Sequence, residues 1–485
     1  MLTKNLFSGT FMDMLDSKDS LIVLADSFLW SKIEDELQQY YAGIGRPPKP
    51  IRLMVGLLLL KQLENLSDEN VVLQFKRNPY YQYFCGYDEY QPAPPCHPTE
   101  LVKFRNRIGK DGFEYIFKMS VEMHGNAAEE PQVIIDSTVQ ESNLTFPTDG
   151  KLAIKIIIHL LRIAKKEGIK LRRSFVKEIK ALRILLRFFR HPRKLTKALG
   201  AMKRLRAIAK IIMRDIQSKM SDKQLAIYSG RFEFYLKVLS QEKNDKNKFY
   251  SLHEIDAYAI NKGKDHKGYE FGTKASIAVT KTSGIIVGAV AHKEHIHDSK
   301  TLVSVLDNVH KNRSTPVEEA ITDRGYKGVR GVSNYYVPLW LMLQFIYFTL
   351  ELISIDKALL FIYLKVIEKI PVAYKTIISI PGTVLKRDTQ KELEVKREKF
   401  RRRAAIEPVI GHLKSDHRMA RNYLKGFAGD EINLLLAASA FNLKKWMRIH
   451  FFALSLDLIY RILYTLKYIQ SIKMVSFNLT ALKYI

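Results

Sequence analysis

The stretch Phe400–Lys414, FRRRAAIEPVIGHLK, carries the residues around which the rest of the chain is interpreted. In a helix that advances by about 100° per residue, positions three, four or seven apart share one face. That face would carry Phe400, Arg403, Glu407, Ile410, Gly411 and Lys414. One carboxylate between two cations predicts an outside polyanion as the partner and leaves Glu407 available to hold a metal ion. A surface helix with a chance ion pair fits the same residues.

The composition of the chain is strongly basic. Its 485 residues include 78 Lys+Arg against 50 Asp+Glu, a formal net charge of +28. Such an excess is usually matched by nucleic acid or an anionic membrane surface. With 47% hydrophobic and 26% charged residues, we expect a globular protein of roughly two or three domains. Only two cysteines and a start without a signal-peptide core predict an intracellular protein.

Residues 1–130 are predicted to form a helical N-terminal domain. Ile51–Leu63 is apolar nearly all round, as in a helix buried among others. A second helix is predicted from Ser67, its N-cap, to Arg77, and a third opens after Thr99. The third helix carries three cations, Lys103, Arg105 and Arg107. This arrangement is compatible with a helix-turn-helix-like module that binds DNA ends, and equally with a plain bundle or a dimerisation module.

A strand and a basic helical insertion follow. The apolar run Val133–Ile135 leads into Asp136, which predicts a strand that ends in a carboxylate. Residues 151–245 are very basic, with apolar residues interleaved at helical spacing. One face would pack while the other offers cations to DNA phosphates, although a merely solvated charged face is the alternative. The cations expected to contact DNA include Arg172, Arg173 and Lys177.

Strand signals return as a hairpin formed by Tyr269–Thr280 and Ile285–His292. The hairpin leads into a cluster that could be read as a zinc site: His292, His295, His297 and Asp298. Because no cysteine accompanies this strand-to-helix connection, we favour Asp298 as the N-cap of the next helix.

A second carboxylate follows a short predicted strand. Residues Glu318–Thr322 lead to Asp323, and the next residues read RGYKG. The glycines permit a tight turn, in which Arg324 and Lys327 are placed to contact a phosphate.

Residues 333–376 form an apolar segment, and Val337–Ile355 within it is long enough to suggest a membrane span. Glu351 would be costly inside a bilayer, so we favour an inserted helical hairpin or sequence foreign to the fold. Residues 450–485 are expected to form a hydrophobic helical tail.

Three carboxylates stand out as a set: Asp136, Asp323 and Glu407. Two aspartates on adjacent strands can face a glutamate on a helix packed against the sheet. Hard oxygen donors are the ligands that Mg²⁺ and Mn²⁺ prefer, and two such ions about 4 Å apart support phosphodiester chemistry. The sequence contains no G-x-S-x-G, G-x-x-x-x-G-K-[ST] or H-E-x-x-H motif that would indicate another mechanism.

These residues carry a resemblance to a known family. Phe400-x2-Arg403-x3-Glu407-x6-Lys414 resembles the Tyr-x2-Arg-x3-Glu-x6-Lys signature of bacterial insertion-sequence DDE transposases. VIIDSTVQESNLTFPTD and AITDRGYKG resemble the first and second aspartate motifs of this family, and IRLMVGLLLLKQLENLSDENVV resembles its N-terminal helical domain. The resemblance covers most of residues 40–449.

The resemblance implies an α+β fold with an RNase H-like catalytic core, a mixed sheet flanked by helices, within residues 131–449. It implies that Asp136, Asp323 and Glu407 bind two Mg²⁺ or Mn²⁺ ions, and that Arg403 and Lys414 contact DNA near the scissile phosphate. The expected activity is cleavage of transposon ends and transfer of their 3′-hydroxyls to target DNA. The expected protein is cytoplasmic, associated with the bacterial nucleoid, and dimeric when bound to double-stranded DNA.

Two departures from the family pattern leave alternatives open. Phe400 replaces the usual tyrosine, so any hydrogen bond from a hydroxyl at that position is lost. The apolar segment 333–376 is longer than such a transposase needs. A catalytically inactive or domesticated DNA-binding protein is therefore the main alternative, and a membrane-associated basic protein is a third.

Overall fold

The computed structural model describes residues 11–41, 48–242, 244–245, 247–264, 267–329, 331–337, 372–380 and 387–451. The predictions for Val337–Ile355 as a span, for most of the segment 333–376 and for nearly all of the tail therefore lie outside the described residues. So does the side chain of Phe400. Among the helices that are described, none is both long and apolar enough to cross a membrane.

The described residues up to Glu122 form seven helices, including the three for which the sequence gives signals. Ile51–Leu63 is buried on nearly every side, and Ser67 caps the next helix by accepting a hydrogen bond from the Asn70 backbone N–H. The helices are α1 (Phe11–Met14), α2 (Ser20–Ser27), α3 (Trp30–Gln38), α4 (Ile51–Leu63), α5 (Asp68–Arg77), α6 (Pro79–Phe84) and α7 (Pro98–Glu122).

The basic helix α7 differs from its prediction in two ways. It begins at Pro98, with His97 rather than Thr99 as N-cap, and it is kinked at Gly109, whose φ is 57°. Arg105 does not face solvent: its guanidinium binds both oxygens of Asp68, at 3.1 and 2.5 Å. Lys61 binds the same carboxylate at 2.8 Å. Arg105 is therefore part of a buried ion cluster and is not presented to DNA.

The predicted helical insertion follows the first strand and has its own hydrophobic core. Side chains such as Leu160, Leu205, Ile208 and Phe232 pack together there, separate from the core beneath the sheet. Its helices are α8 (Asp149–Lys166), α9 (Val176–Leu185), α10 (Leu195–Gln217) and α11 (Asp222–Ser240).

Within the described ranges of the chain, the sheet has eight strands. One edge of β3 pairs with β1, and its other edge pairs first with β2 and then with β4. The other edge of β1 pairs with β5 near its start and with β8 near its end. Beyond β5, β7 pairs with β5, and β6 pairs with β7. The strands are β1 (Gln132–Ser142), β2 (Tyr258–Lys264), β3 (Lys267–Thr280), β4 (Ile286–His292), β5 (Glu319–Ile321), β6 (Gly331–Val337), β7 (Val372–Ser379) and β8 (Arg421–Asn422).

Three antiparallel strands, β4-β3-β1, therefore continue into the parallel strands β5 and β7. Helices cover this mixed sheet, which confirms the predicted α+β class and is consistent with an RNase H-like core. The predicted hairpin is β3 and β4. The later helices are α12 (Leu302–Asn312), α13 (Gln390–Ala404), α14 (Ile406–Ser415) and α15, which occupies at least residues 426–451.

Candidate active site

Pairing of β1 with β5 places the two predicted aspartates at matching positions. The strands are parallel, and Ile134 lies opposite Ile321. Two residues further along each chain come Asp136 and Asp323. The two aspartates are far apart in sequence. They are brought to the same level of the sheet because β1 and β5 are neighbouring parallel strands.

The first aspartate is not at the end of its strand, contrary to the prediction. β1 continues past Asp136 to Ser142, because β3 pairs with it from Val133 to Glu141 and β8 joins its last residues. Asp136 therefore belongs to a strand fixed on both sides. Its carboxylate also accepts a hydrogen bond from the Ser137 backbone N–H at 2.7 Å.

The second aspartate lies in the tight turn that the sequence predicts. β5 ends at Ile321, and Asp323 caps a single 3₁₀ turn, Arg324–Tyr326. Its Oδ1 accepts a hydrogen bond from the Gly325 N–H at 2.8 Å. The carboxylate is thereby held by its own turn.

The predicted helix around Glu407 is interrupted. α13 ends at Ala404 and α14 begins at Ile406, with Ala405 between them. Arg403 Nη2 lies 3.5 Å from Asp136 Oδ2 and 3.9 Å from Glu407 Oε1. The structure thus brings the first and third predicted carboxylates to the same guanidinium nitrogen. The Glu407 side chain is 64% exposed.

A metal-binding arrangement is not assembled by the described side chains. Among them, no group of three or more His, Cys, Asp or Glu residues is placed to hold a metal ion. The histidine cluster does not form one either: His292 Nε2 lies 2.9 Å from Ser276 Oγ. Burial first, and then the charge of Lys274, lower the pKa of His292 to about 4.

The predicted DNA-contacting cations have different surroundings. Arg324 and Lys327 are exposed in the turn after Asp323, and Lys414 is partly buried on α14. On the insertion, Arg172 lies 3.5 Å from Asp215, and Arg173 lies 3.8 Å from Glu178 and over the Phe175 ring. Lys177 is exposed.

Sequence reasoning assigned Asp298 to a helix N-cap, and this was wrong. His297 is the N-cap of the 3₁₀ turn that Asp298 begins, and α12 starts only at Leu302. The Asp298 carboxylate instead accepts hydrogen bonds from Ser137 Oγ at 2.8 Å and Lys274 Nζ at 2.9 Å. No local pattern marks this contact, because its partners lie on β1 and β3.

Tyr326 is a second residue near the site that sequence reasoning missed. It is fully buried, and its hydroxyl, near Thr301, makes no hydrogen bond of normal geometry with the described residues. Burial raises the pKa of this hydroxyl, and so do the negative charges of Asp298, Asp136 and Asp323. The three aspartates are therefore close enough to one buried tyrosine to act on it together.

Comparison with known proteins agrees with this geometry. Residues 10–107 match a transposase domain (DUF772), and residues 242–443 match a transposase DDE domain. The uncharacterized protein ORF8 in the nfe locus of Rhizobium meliloti is 38% identical over 192 residues, covering 38% of this chain and 93% of that protein. No solved structure matches the chain. The chain therefore belongs to the insertion-sequence DDE transposases, metal-dependent enzymes that bind DNA, cleave it and transfer its strands.

Proposed function

We propose that this transposase cuts the ends of its element and joins the freed 3′-hydroxyls to target DNA by two-metal-ion chemistry. Asp136, Asp323 and Glu407 are the proposed metal ligands. The observation that carries the proposal is the position of Arg403, whose Nη2 contacts both Asp136 and Glu407. Carboxylates from a central strand and a distant helix repel each other when they are brought together. A cation shared by both carboxylates, as Arg403 is, offsets this repulsion.

The donor set suits Mg²⁺ or Mn²⁺, because carboxylate oxygens are their preferred ligands. Two bound ions would activate a water or a 3′-hydroxyl and stabilise the leaving oxygen. Glu407 lies in the first turn of α14 with an exposed side chain, so a rotamer change can turn its carboxylate toward Asp136. The Arg403 guanidinium holds the two acids near each other until then.

DNA phosphates are the proposed partners of the cations around this site. Arg403 Nε is buried and lacks a hydrogen-bond partner among the described residues, which supports a phosphate contact for its guanidinium. Arg324 and Lys327 are exposed beside Asp323, and Lys414 lies two turns beyond Glu407 on α14. Arg172, Arg173 and Lys177 would bind the DNA backbone farther away, on the insertion.

We propose that successive segments of the chain have different roles. We assign residues 1–130 to recognition of transposon ends, 131–449 to the catalytic domain and 450–485 to a peripheral tail. The separate core of α8–α11 supports treating 151–245 as an insertion into the catalytic domain. Two ends must be cut and joined together, so we propose a dimer on DNA, acting at the bacterial nucleoid.

The test is nicking of DNA that carries the ends of the encoding element, with and without Mg²⁺. Wild-type protein should nick only with the metal, and Asp136→Asn should lose at least about a thousandfold in rate. Asp222→Asn is the matched control, because Asp222 is exposed on α11 of the insertion. DNA binding without metal-dependent nicking by the wild type would instead identify an inactive, DNA-binding derivative of a transposase.

A further inference from the structure

Asp298 joins several elements around the proposed site. Its Oδ1 accepts hydrogen bonds from Ser137 Oγ and Lys274 Nζ. Ser137 follows Asp136 directly on β1, and Lys274 lies on β3 with a side chain only 9% exposed. Lys274 Nζ also donates to the Ile296 carbonyl at 2.7 Å. The position of this carboxylate is therefore fixed from two strands.

The second oxygen of Asp298 faces the same space as Asp323. A Cβ atom placed on Gly325 would lie 3.0 Å from Asp323 Oδ1 and 3.3 Å from Asp298 Oδ2. The two carboxylates thus border one small volume that glycine leaves open. Lys274 compensates the charge of Asp298 from the side of Oδ1, and a divalent cation in this volume would be attracted by both carboxylates.

An independent observation concerns Tyr326, the next residue. Its side chain is 0% exposed, and its hydroxyl has no hydrogen bond of normal geometry within the described parts of the chain. Thr301 lies near this hydroxyl without completing a hydrogen bond of normal geometry, and a buried hydroxyl that is not fully satisfied usually faces a ligand or an ordered water. This hydroxyl lies where the charges of Asp298, Asp136 and Asp323 all act on it.

We propose that Asp298 supplies a fourth carboxylate to the cation-binding region, with Oδ2 directed to a divalent cation shared with Asp323. Oδ1 remains on Lys274 and Ser137, which orient the group. The inference rests on the proposed function, because it assumes a hard divalent cation at Asp323. A purely structural Lys274–Asp298 ion pair is the competing explanation.

Two variants separate these explanations. Asp298→Asn keeps an oxygen that can accept from Ser137 and Lys274, but replaces the other with an amide NH₂, which does not bind cations. Gly325→Ala keeps every carboxylate and fills the space between Asp298 and Asp323. Gly325 has no left-handed backbone requirement, so the backbone of the turn accepts alanine, while the new Cβ displaces the Asp323 carboxylate by a few tenths of an ångström.

The measurement is the rise in melting temperature with increasing Mn²⁺, made on the full chain without DNA, because a ligand of the folded state raises it. The half-maximal Mn²⁺ concentration should increase about tenfold or more for Asp298→Asn and for Gly325→Ala. It should stay unchanged for the control Asp222→Asn. Asp323→Asn should remove the response.

The outcomes are distinguishable. If Asp298→Asn and Gly325→Ala respond to Mn²⁺ like the wild type while Asp323→Asn does not, Asp298 is not a ligand, yet the proposed function stands. Asp298 is likewise excluded as a ligand if Asp298→Asn lowers the melting temperature without changing the half-maximal concentration. If Asp323→Asn also responds normally, both proposals fail. Should Asp298→Asn not fold, a wild-type response of Gly325→Ala excludes the proposal, and a weaker response supports a cation bound between the two carboxylates.

Discussion

Replacing Arg105 with methionine tests whether the cations of α7 serve stability or DNA binding. Arg105 is 4% exposed and bonds both oxygens of Asp68, which is 16% exposed and also bound by Lys61. Breaking a buried ion pair by removing one partner costs about 3–5 kcal/mol. Because Lys61 remains on Asp68, we expect the lower end, about 3 kcal/mol. Methionine fills a similar volume, so the loss comes from the charge and its hydrogen bonds.

The assay is urea unfolding followed by circular dichroism, with Lys103→Met as control. Lys103 is exposed on the same helix, and its replacement should change the free energy of unfolding by less than about 0.5 kcal/mol. DNA affinity measured against salt provides the second readout, since each phosphate contact contributes about 0.9 to the slope. Arg105→Met should leave that slope unchanged. A stability loss below about 1 kcal/mol, or a slope smaller by about 0.9, would refute the structural role.

Three further predictions concern charge. Glu407→Gln should abolish metal-dependent nicking. Because the side chain is 64% exposed, the free energy of unfolding should fall by less than about 0.5 kcal/mol, and a larger loss of stability would contradict this. Burial raises the pKa of Asp430 from 3.8 to about 7, so its contribution to stability is complete below 3.8 and is lost as the pH rises through about 7. Urea unfolding between about pH 4 and pH 8 should show this loss in the wild type but not in Asp430→Asn, and identical profiles would exclude it. Replacing Arg172, Arg173 and Lys177 with glutamine should reduce the salt slope of DNA binding by about 2.7 if all three contact phosphates, and an unchanged slope would assign them to a solvated surface.

Periodicity was sufficient to predict the regular elements. α4 is apolar all round, β3 and β4 are two strand-like runs on either side of turn residues, and the insertion shows helical spacing. These signals are local, because the spacing of the apolar residues in each element indicates which of its faces will be buried. The order of strands was not predictable in this way, since β5 pairs with β1 across the whole insertion.

Partners far away in sequence explain what could not be predicted. The second half of β1 reads as polar, and yet Gln140 is fully buried. Its amide donates to the Asp430 carbonyl and accepts from Asn433 Nδ2, both near the start of α15. Arg105 and Asp298 were misassigned for the same reason. Local sequence suggests an exposed cation for Arg105 and a helix cap for Asp298, whereas contacts with residues distant in sequence place both in ion pairs.

The proposed site is arranged along consecutive residues of β1, and this arrangement has an electrostatic consequence. Asp136 contacts Arg403 from α13, and the next residue, Ser137, contacts Asp298, which is paired with Lys274 from β3. Asp136 and Asp298 thus each have a cation within 4 Å, so a DNA phosphate approaching these two residues meets compensated charge rather than bare carboxylates. Divalent cations would then compete with Arg403 and Lys274 for the carboxylates. DNA phosphates would compete with the carboxylates for Arg403.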